Sequence, residues 1–243
     1  MKKGHIIYIL VILSIISCIA VPAMADDNTT PQDQATTLYN VGVRMLASND
    51  YANAISIFDQ ALASNTTMIK KTDALLYTYQ GKTYALIQLG RYNESLQTAS
   101  DGLSVYPKDT MLLNNKGYAL YKLGDYPGAV AAYDQALAID NTFATNNMYT
   151  IAQINKGDAL YQMGRYQEAV DAYKKALENS PDNVNATTGL ALAEPKAAAA
   201  MQTTIIVLVV IVAIVAAGAV WYVKFRKPVK EEKPEKKEKP KKK

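Results

Sequence analysis

The stretch from Asn115 to Asp140, NKGYALYKLGDYPGAVAAYDQALAID, decides the fold because a near-copy of it follows in the same chain. The copy, NKGDALYQMGRYQEAVDAYKKALENS, begins at Asn155 and keeps the same order of small, aromatic and charged residues. A unit of this length cannot bury its apolar face alone, so such copies must stack on one another. The sequence therefore predicts a helical repeat array.

A short turn recurs four times along the chain and separates two apolar segments each time. The four turns are Asn49-Asp50-Tyr51, Gly90-Arg91-Tyr92, Gly124-Asp125-Tyr126 and Gly164-Arg165-Tyr166. After the third turn, Ala129, Tyr133 and Ala136 recur at steps of three and four, which places them on one helix face. Glycine at the turn permits backbone angles that a side chain disfavours. Each unit is therefore predicted to be a helix hairpin. The alternative, an ordinary amphipathic bundle, would not predict a repeated turn.

The chain resembles the tetratricopeptide repeat family in its period and in its spaced small residues. Gly90 and Gly124 are 34 residues apart, which is the period of that family. The family packs its first helix closely against its second at one small residue, and the matching positions here are Gly42, Thr83, Gly117 and Gly157. Pro107 and Pro181 match its repeat-ending proline. The resemblance covers about residues 35–181.

This resemblance implies an all-α, right-handed solenoid of about four helix hairpins with a C-terminal capping helix. The expected repeats are 35–68, 76–109, 110–143 and 150–183. Residues 184–194 read as one more first helix without its partner, which caps the last hairpin and which Pro195 is expected to end. The other two turn spacings are 41 and 40 residues. Insertions must therefore lie near Thr67–Thr72 and Asn141–Tyr149, either as longer helices or as loops rich in Asn and Thr.

Segments on both sides of the repeats indicate export and a membrane anchor. Residues 1–25 read as a signal peptide, with Lys2 and Lys3 before an apolar run and Ala23-Met24-Ala25 as the cleavage site. The alternative is an uncleaved second anchor. A disordered N-terminus is expected at 26–34 and a linker at 195–204. Residues 205–223 contain no charged side chain and are long enough to cross a bilayer of about 30 Å, so they are predicted as a transmembrane helix rather than a buried globular one.

The flanks of this apolar segment predict its orientation. Trp221 and Tyr222 lie at its end, where amphipathic rings favour the interface, and Lys224 follows at once. Residues 224–243 carry eleven basic and four acidic side chains, whereas residues 26–204 carry thirteen basic and eighteen acidic ones. A disordered cytoplasmic tail and an outward-facing body are therefore expected in a bacterial or archaeal envelope. The tail is either simply solvated or attracted to anionic lipid headgroups. The acidic body predicts no nucleic-acid partner.

Residue types limit the chemistry of the exported body. His5 and Cys18 are the only histidine and cysteine in the chain, and both lie in the predicted signal peptide. The sequence therefore predicts no zinc site, no thiol nucleophile and no histidine base, and neither a cofactor nor catalysis is expected. Asp125, Asp134, Asp158 and Glu168 fall at positions expected to face solvent. Four sequons mark possible glycosylation sites, at Asn28, Asn65, Asn93 and Asn185.

The resemblance implies that the first helices of the hairpins line a concave groove that binds a peptide or protein partner. In this family asparagine often bonds a ligand's main chain from that wall, and nearby tyrosines supply contact area. The candidate partner-binding residues are Asn40, Asn115, Asn155, Tyr77, Tyr84, Tyr118, Tyr121, Lys122 and Tyr161. Gly81 replaces the asparagine in the second repeat. The basic clamp that some members use for a terminal carboxylate is absent, so the expected ligand is either neutral or held through main-chain bonds and apolar pockets.

These observations predict a membrane-tethered scaffold that acts in the assembly or chaperoning of envelope proteins. Confinement to a surface raises the effective concentration of any partner confined there, so modest affinity suffices. Three alternatives stay open at this point: a non-catalytic subunit of an envelope enzyme complex, a surface signalling receptor, and a hydrolase that uses carboxylates on a repeat platform.

Overall fold

The computed structural model describes residues 31–64, 73–139 and 147–225. Helices account for nearly all of these residues, and no strand occurs in the described ranges. The helices are α1 (Pro31–Ala47), α2 (Tyr51–Ser64), α3 (Asp73–Gln88), α4 (Tyr92–Val105), α5 (Thr110–Lys122), α6 (Tyr126–Ile139), α7 (Asn147–Gln162), α8 (Tyr166–Asn179) and α9 (Val184–Phe225). The all-α fold class predicted from the sequence is confirmed.

The first eight helices form four hairpins that stack in chain order. Each first helix packs against its own second helix, and each second helix packs against the next first helix. The first helices also contact one another, α1 with α3, α3 with α5, and α5 with α7. Such nearest-neighbour packing is typical of a solenoid. Because the first helices lie side by side, they share one wall of the stack.

The predicted turns have the backbone conformation that their glycines permit. Gly90, Gly124 and Gly164 have φ values of 72°, 85° and 73°, and Asn49 takes the same role with φ of 59°. The amide of Arg91 donates to the carbonyl of Leu86 at 2.9 Å, the bond that closes a helix with a left-handed residue. These residues end each first helix and reverse the chain into the second.

Small residues on the first helices admit aromatic rings from the second helices, as the family resemblance implies. A Cβ placed on Gly117 would lie 2.6 Å from Tyr133 Cε1, and one placed on Gly157 would lie 2.7 Å from Tyr173 Cε1. Both rings are almost fully buried. In the first repeat Phe58 takes this place, where it contacts Gly42 of its own hairpin and Gly81 of the next. These rings form the centre of the apolar core.

The insertions lengthen the first helices of the second and fourth repeats. Helices α3 and α7 each have 16 residues, compared with 13 in α5, and each begins three residues before the expected repeat boundary. The remainder of each insertion lies outside the described residues, as do the predicted signal peptide and residues 226–243 of the predicted cytoplasmic tail. Residues 31–34, expected to be disordered, are helical, because α1 begins at Pro31 and proline fits the first turn of a helix.

The prediction that Pro195 ends the last helix is wrong. Helix α9 runs from Val184 through Pro195 to Phe225, so the segment predicted as a linker is also helical. A proline inside a helix leaves the carbonyl four residues earlier, that of Ala191, without its usual donor. Ala191 and Pro195 are both exposed, so solvent can reach that carbonyl, and the alanine-rich sequence on the C-terminal side favours the helix.

The chain divides into two compact units, residues 1–197 and residues 198–243. The first unit contains the hairpins and the beginning of α9, where Asn183 Oδ1 accepts a hydrogen bond from the amide of Ala186 at 3.0 Å. In the second unit the described part is helical and its apolar side chains are exposed. One 18-residue window of α9 has a mean hydropathy of 2.9, so this helix is a candidate membrane span by length and composition.

Candidate functional site

The first helices are joined to one another by amide side chains. Asn115 Nδ2 donates to Thr83 Oγ1 at 2.9 Å, which connects α5 to α3. Asn155 Nδ2 lies 3.4 Å from Asn114 Oδ1, which connects α7 to α5. These bonds fix the spacing of the helices that form the shared wall. Two of the asparagines predicted to bond a ligand, Asn115 and Asn155, therefore form bonds between repeats in this structure.

The candidate residues differ in how far they reach the surface. Asn115 is only 1% exposed and Tyr84 only 5%, so both belong to the interior of the stack. The ring of Tyr84 meets the ring of Tyr51 edge-on, with centroids 6.2 Å apart. The other candidates are partly or fully exposed: Asn40, Tyr77, Tyr118, Tyr121, Lys122, Asn155 and Tyr161. Burial makes Asn115 and Tyr84 residues that position the wall.

A pocket of about 400 Å³ opens at the C-terminal end of the stack. Helix α7 contributes Asn155, Asp158 and Tyr161 to it, and α5 contributes Tyr121. Tyr173 of α8 also lines it. The structure therefore brings together three of the candidate residues that the sequence predicted, Tyr121, Asn155 and Tyr161.

The beginning of α9 closes the other side of this pocket. Asn185, Thr188 and Leu192 line it, and the absence of a side chain at Gly189 leaves room for the ring of Tyr173. Asn183 caps α9 as Asp109 caps α5, so α9 begins in the register of a fifth first helix. The sequence predicted residues 184–194 as one more first helix that caps the last hairpin, but it did not predict that this helix lines a pocket.

Asp158 lines this pocket, whereas the sequence predicted that it faces solvent. Its Oδ1 accepts a hydrogen bond of 2.6 Å from the hydroxyl of Tyr173, and the side chain is half-buried. Loss of hydration raises the pKa of Asp158, and this effect outweighs the hydrogen bond from Tyr173 and the attraction of Lys122. The prediction failed because Asp158 was judged by its position within its own repeat, whereas side chains of α8 and α9 surround the carboxylate in the structure.

The other three carboxylates named from the sequence have structural roles at the surface. Asp125 Oδ1 accepts from the amide of Gly128 at 2.9 Å, and Glu168 forms hydrogen bonds with Arg165. Asp134 pairs with Lys156 at 2.5 Å. These three carboxylates lie outside the pocket.

Two lysines lie over tyrosine rings beside the pocket. Lys122 Nζ lies 5.3 Å from the ring centroid of Tyr118 and 5.9 Å from that of Tyr121. Partial burial by itself lowers the pKa of Lys122, but Tyr118 and other nearby tyrosines offset this effect and the net pKa is raised. Lys196 Nζ lies 5.1 Å from the ring centroid of Tyr161. Sequence reasoning missed Lys196 because it was assigned to a linker.

The remaining candidates are Tyr77, at a distance from this pocket, and the predicted glycosylation sites. The ring of Tyr77 stands 5.9 Å from that of Tyr39 at the other end of the wall. Burial, with the nearby phenol of Tyr77, raises the pKa of Tyr39 to about 12. Asn93 and Asn185 are exposed, whereas Asn28 and Asn65 lie outside the described residues. Because Asn185 lines the pocket, a glycan on it and a ligand in the pocket would compete for space.

Replacing Asp158 with asparagine should raise the melting temperature at pH 7. The pKa of Asp158 is raised in the folded state, so the folded chain holds this proton more tightly than the unfolded chain does. The stability from this group is therefore greatest below its ordinary pKa of 3.8 and is lost as the pH rises through its folded value. Asparagine keeps an acceptor for Tyr173 without the buried charge.

Thermal unfolding followed by circular dichroism would measure this effect. The gain from Asp158→Asn should be full at pH 7 and should vanish below about pH 3.8, where the wild-type carboxyl is also neutral. Asp134→Asn is the matched control, because that carboxylate is exposed and ion-paired, and it should give no gain. A lower melting temperature for Asp158→Asn at pH 7 would contradict the burial argument.

Comparisons with known proteins agree with this architecture. A family model described as tetratricopeptide repeat matches residues 109–182. A TPR repeat-containing protein of Methanocaldococcus jannaschii is 28% identical over 102 residues, which are 42% of this chain and 17% of that protein. The matched stretch thus spans about a sixth of the relative's length.

Two solved structures resemble the chain over about two thirds of its length. The crystal structure of MamA protein aligns with a TM-score of 0.56 at 19% identity and covers 68% of this chain and 84% of that one. The crystal structure of a tetratricopeptide repeat protein from Parabacteroides merdae aligns with a TM-score of 0.55 at 18% identity and covers 68% and 60%. At these identities the likeness concerns the fold.

Proposed function

Since the chain belongs to the tetratricopeptide repeat family, whose fold serves as a protein interaction scaffold, we propose that it binds a peptide or protein partner along the wall of first helices. The observation that carries the proposal is the row of partly exposed tyrosines on this wall, which leads into the pocket. Tyrosine offers a large contact area and a hydroxyl group at a small cost in conformational entropy, which suits contact with peptides.

The proposal assigns different roles to the predicted binding residues. Tyr118, Tyr121, Tyr161 and Asn155 are the contact residues, with Lys122 at the edge and Asn40 and Tyr77 extending the surface toward the N-terminus. Asn115 acts through its bond to Thr83, which holds α5 against α3. Replacing Asn115 would therefore disturb the stack as well as the ligand, so it is a poor single test of binding.

The second part of the proposal is a membrane tether. We infer that α9 crosses the membrane with the repeat domain outside the cytoplasm and the basic tail inside. The apolar composition of the helix supports the span, and the lysines and arginine after Tyr222 support the orientation. A scaffold so placed would recruit partners for the assembly or chaperoning of envelope proteins by raising their local concentration. Repeat proteins of this family are generally non-catalytic, and this role requires no catalysis.

Site-specific crosslinking in intact cells would test the wall as the binding surface. A photoreactive phenylalanine analogue is placed at Tyr118 or Tyr161 in the full chain, and at Gln135 or Lys175 as controls. The control positions are exposed on second helices. Adducts identified by mass spectrometry should form from the two wall positions at several times the yield of the controls. Equal yields from both sets would overturn the assignment of the wall.

A further inference from the structure

Asp158 is the single charged side chain among the described residues that line the pocket. The other polar side chains there are amides and hydroxyls, including Asn155, Asn185 and Thr188. Lys122 and Lys196 lie over tyrosine rings beside the pocket and do not line it. The interior of the pocket is therefore formally negative, although two lysines lie over tyrosine rings that line it.

The carboxylate of Asp158 can accept more hydrogen bonds than the one that Tyr173 donates. An ionised carboxylate offers about four acceptor positions. Tyr173 fills one of them at 2.6 Å. Burial raises the pKa of this carboxyl, so its charged form lacks hydration that a ligand could replace. A cation with N–H groups would supply both the opposite charge and the missing donors.

The walls of the pocket also suit a cation. Tyr121 and Tyr161 line it, and the negative face of an aromatic ring attracts a positive group at distances up to about 6 Å. The two lysines already lie over these same rings at 5.9 Å and 5.1 Å, so the rings do accept ammonium groups in this chain. A volume of about 400 Å³ accommodates a long side chain together with part of its backbone.

We propose that this pocket receives the positively charged side chain of an arginine or lysine of the bound partner, with Asp158 as its counter-ion and the tyrosines as its walls. This inference rests on the proposed function and specifies the chemistry of the ligand. It differs from the neutral ligand expected from the sequence, because that expectation rested on the absence of a basic clamp and did not include Asp158 among the groove residues.

Fluorescence polarisation with the full chain in lipid nanodiscs would test the proposal. The probes are three fluorescein-labelled pentapeptides, Gly-Ser-Arg-Ser-Gly and its analogues with citrulline or glutamate in the central position. Citrulline keeps the shape of arginine without its charge. The arginine peptide should bind about tenfold more tightly than the citrulline peptide, as expected for a close and partly desolvated charge pair. The glutamate peptide should bind most weakly.

Two variants separate this charge effect from folding. Asp158→Asn should remove the preference for arginine over citrulline while the chain stays folded, because the Tyr173 bond is kept. Asp134→Asn removes a carboxylate outside the pocket and should leave the preference unchanged. Equal binding of the three peptides, no detectable binding of any, or tightest binding of the glutamate peptide would overturn the inference. Crosslinking from the wall positions could persist in each of these cases. The crosslinking experiment therefore tests the proposed function independently of this inference.

Discussion

Replacing Gly117 with valine is expected to destabilise the repeat domain by about 3 kcal/mol, at the upper end of the range for an overpacked core. A Cβ at this position would lie 2.6 Å from Tyr133 Cε1, and all three nearest atoms belong to that ring. Tyr133 is 0% exposed, so its ring cannot swing into solvent. Helices α5 and α6 would have to separate, which would also loosen their contacts with α7.

The change Gly117→Ala should alter the free energy of unfolding in the direction opposite to that usual for this substitution in a helix. In an exposed helix interior, alanine in place of glycine stabilises by about 1 kcal/mol. At Gly117 the same change should destabilise, because the added methyl group meets the buried ring. Ala131→Val, on the exposed face of α6, controls for a branched residue in a helix. Urea unfolding of the full chain in detergent would measure each free energy, and a stabilised Gly117→Ala chain would contradict the close packing.

Introducing lysines at Val210 and Ile214 should release the protein from the membrane. Both side chains are at least half exposed and lie within the apolar part of α9. A lysine near the centre of a spanning helix costs about 2.5–3.5 kcal/mol on insertion scales, so two of them cancel much of the gain from the apolar residues. The expected result is transfer of most of the chain from the membrane pellet to the soluble fraction after alkaline carbonate extraction.

A matched pair of lysines tests whether release from the membrane depends on the position of the two charges or only on their presence. Ala198→Lys with Met201→Lys adds the same charge to the same helix, on the N-terminal side of the apolar segment. This control should remain in the membrane pellet. If both double variants stay in the pellet, the segment 205–223 is not the anchor. Protease added to intact cells then tests the orientation, because the proposal expects loss of the repeats and protection of the basic tail.

Local patterns in the sequence predicted most of the fold. The turns at Gly90, Gly124 and Gly164 could be identified because a left-handed backbone favours glycine, and the structure has positive φ at each of them. Small residues at Gly117 and Gly157 predicted close helix packing, since only a residue without a side chain leaves room for a buried ring. Such constraints act within one repeat and therefore leave a local signature.

The site depended on contacts between repeats, and these were harder to predict. The tyrosines and asparagines of the wall were identified, but burial of Asn115 depends on how closely α3 approaches α5. The end of the last helix was assigned to Pro195 from a local rule, although exposure of Ala191 allows the helix to continue. That continuation places Lys196 over Tyr161, which the sequence did not indicate.

The sequence by itself determined the repeat period, the hairpin turns, the small-to-aromatic packing positions and the apolar character of residues 205–223. Each of these follows from steric or hydrophobic demands that recur at fixed spacing. Only the tertiary structure decided the surroundings of Asp158, because helices α5, α7, α8 and α9 each contribute a part of the pocket. The hydration of a carboxylate depends on everything packed around it, and residues distant in the chain supply those neighbours here.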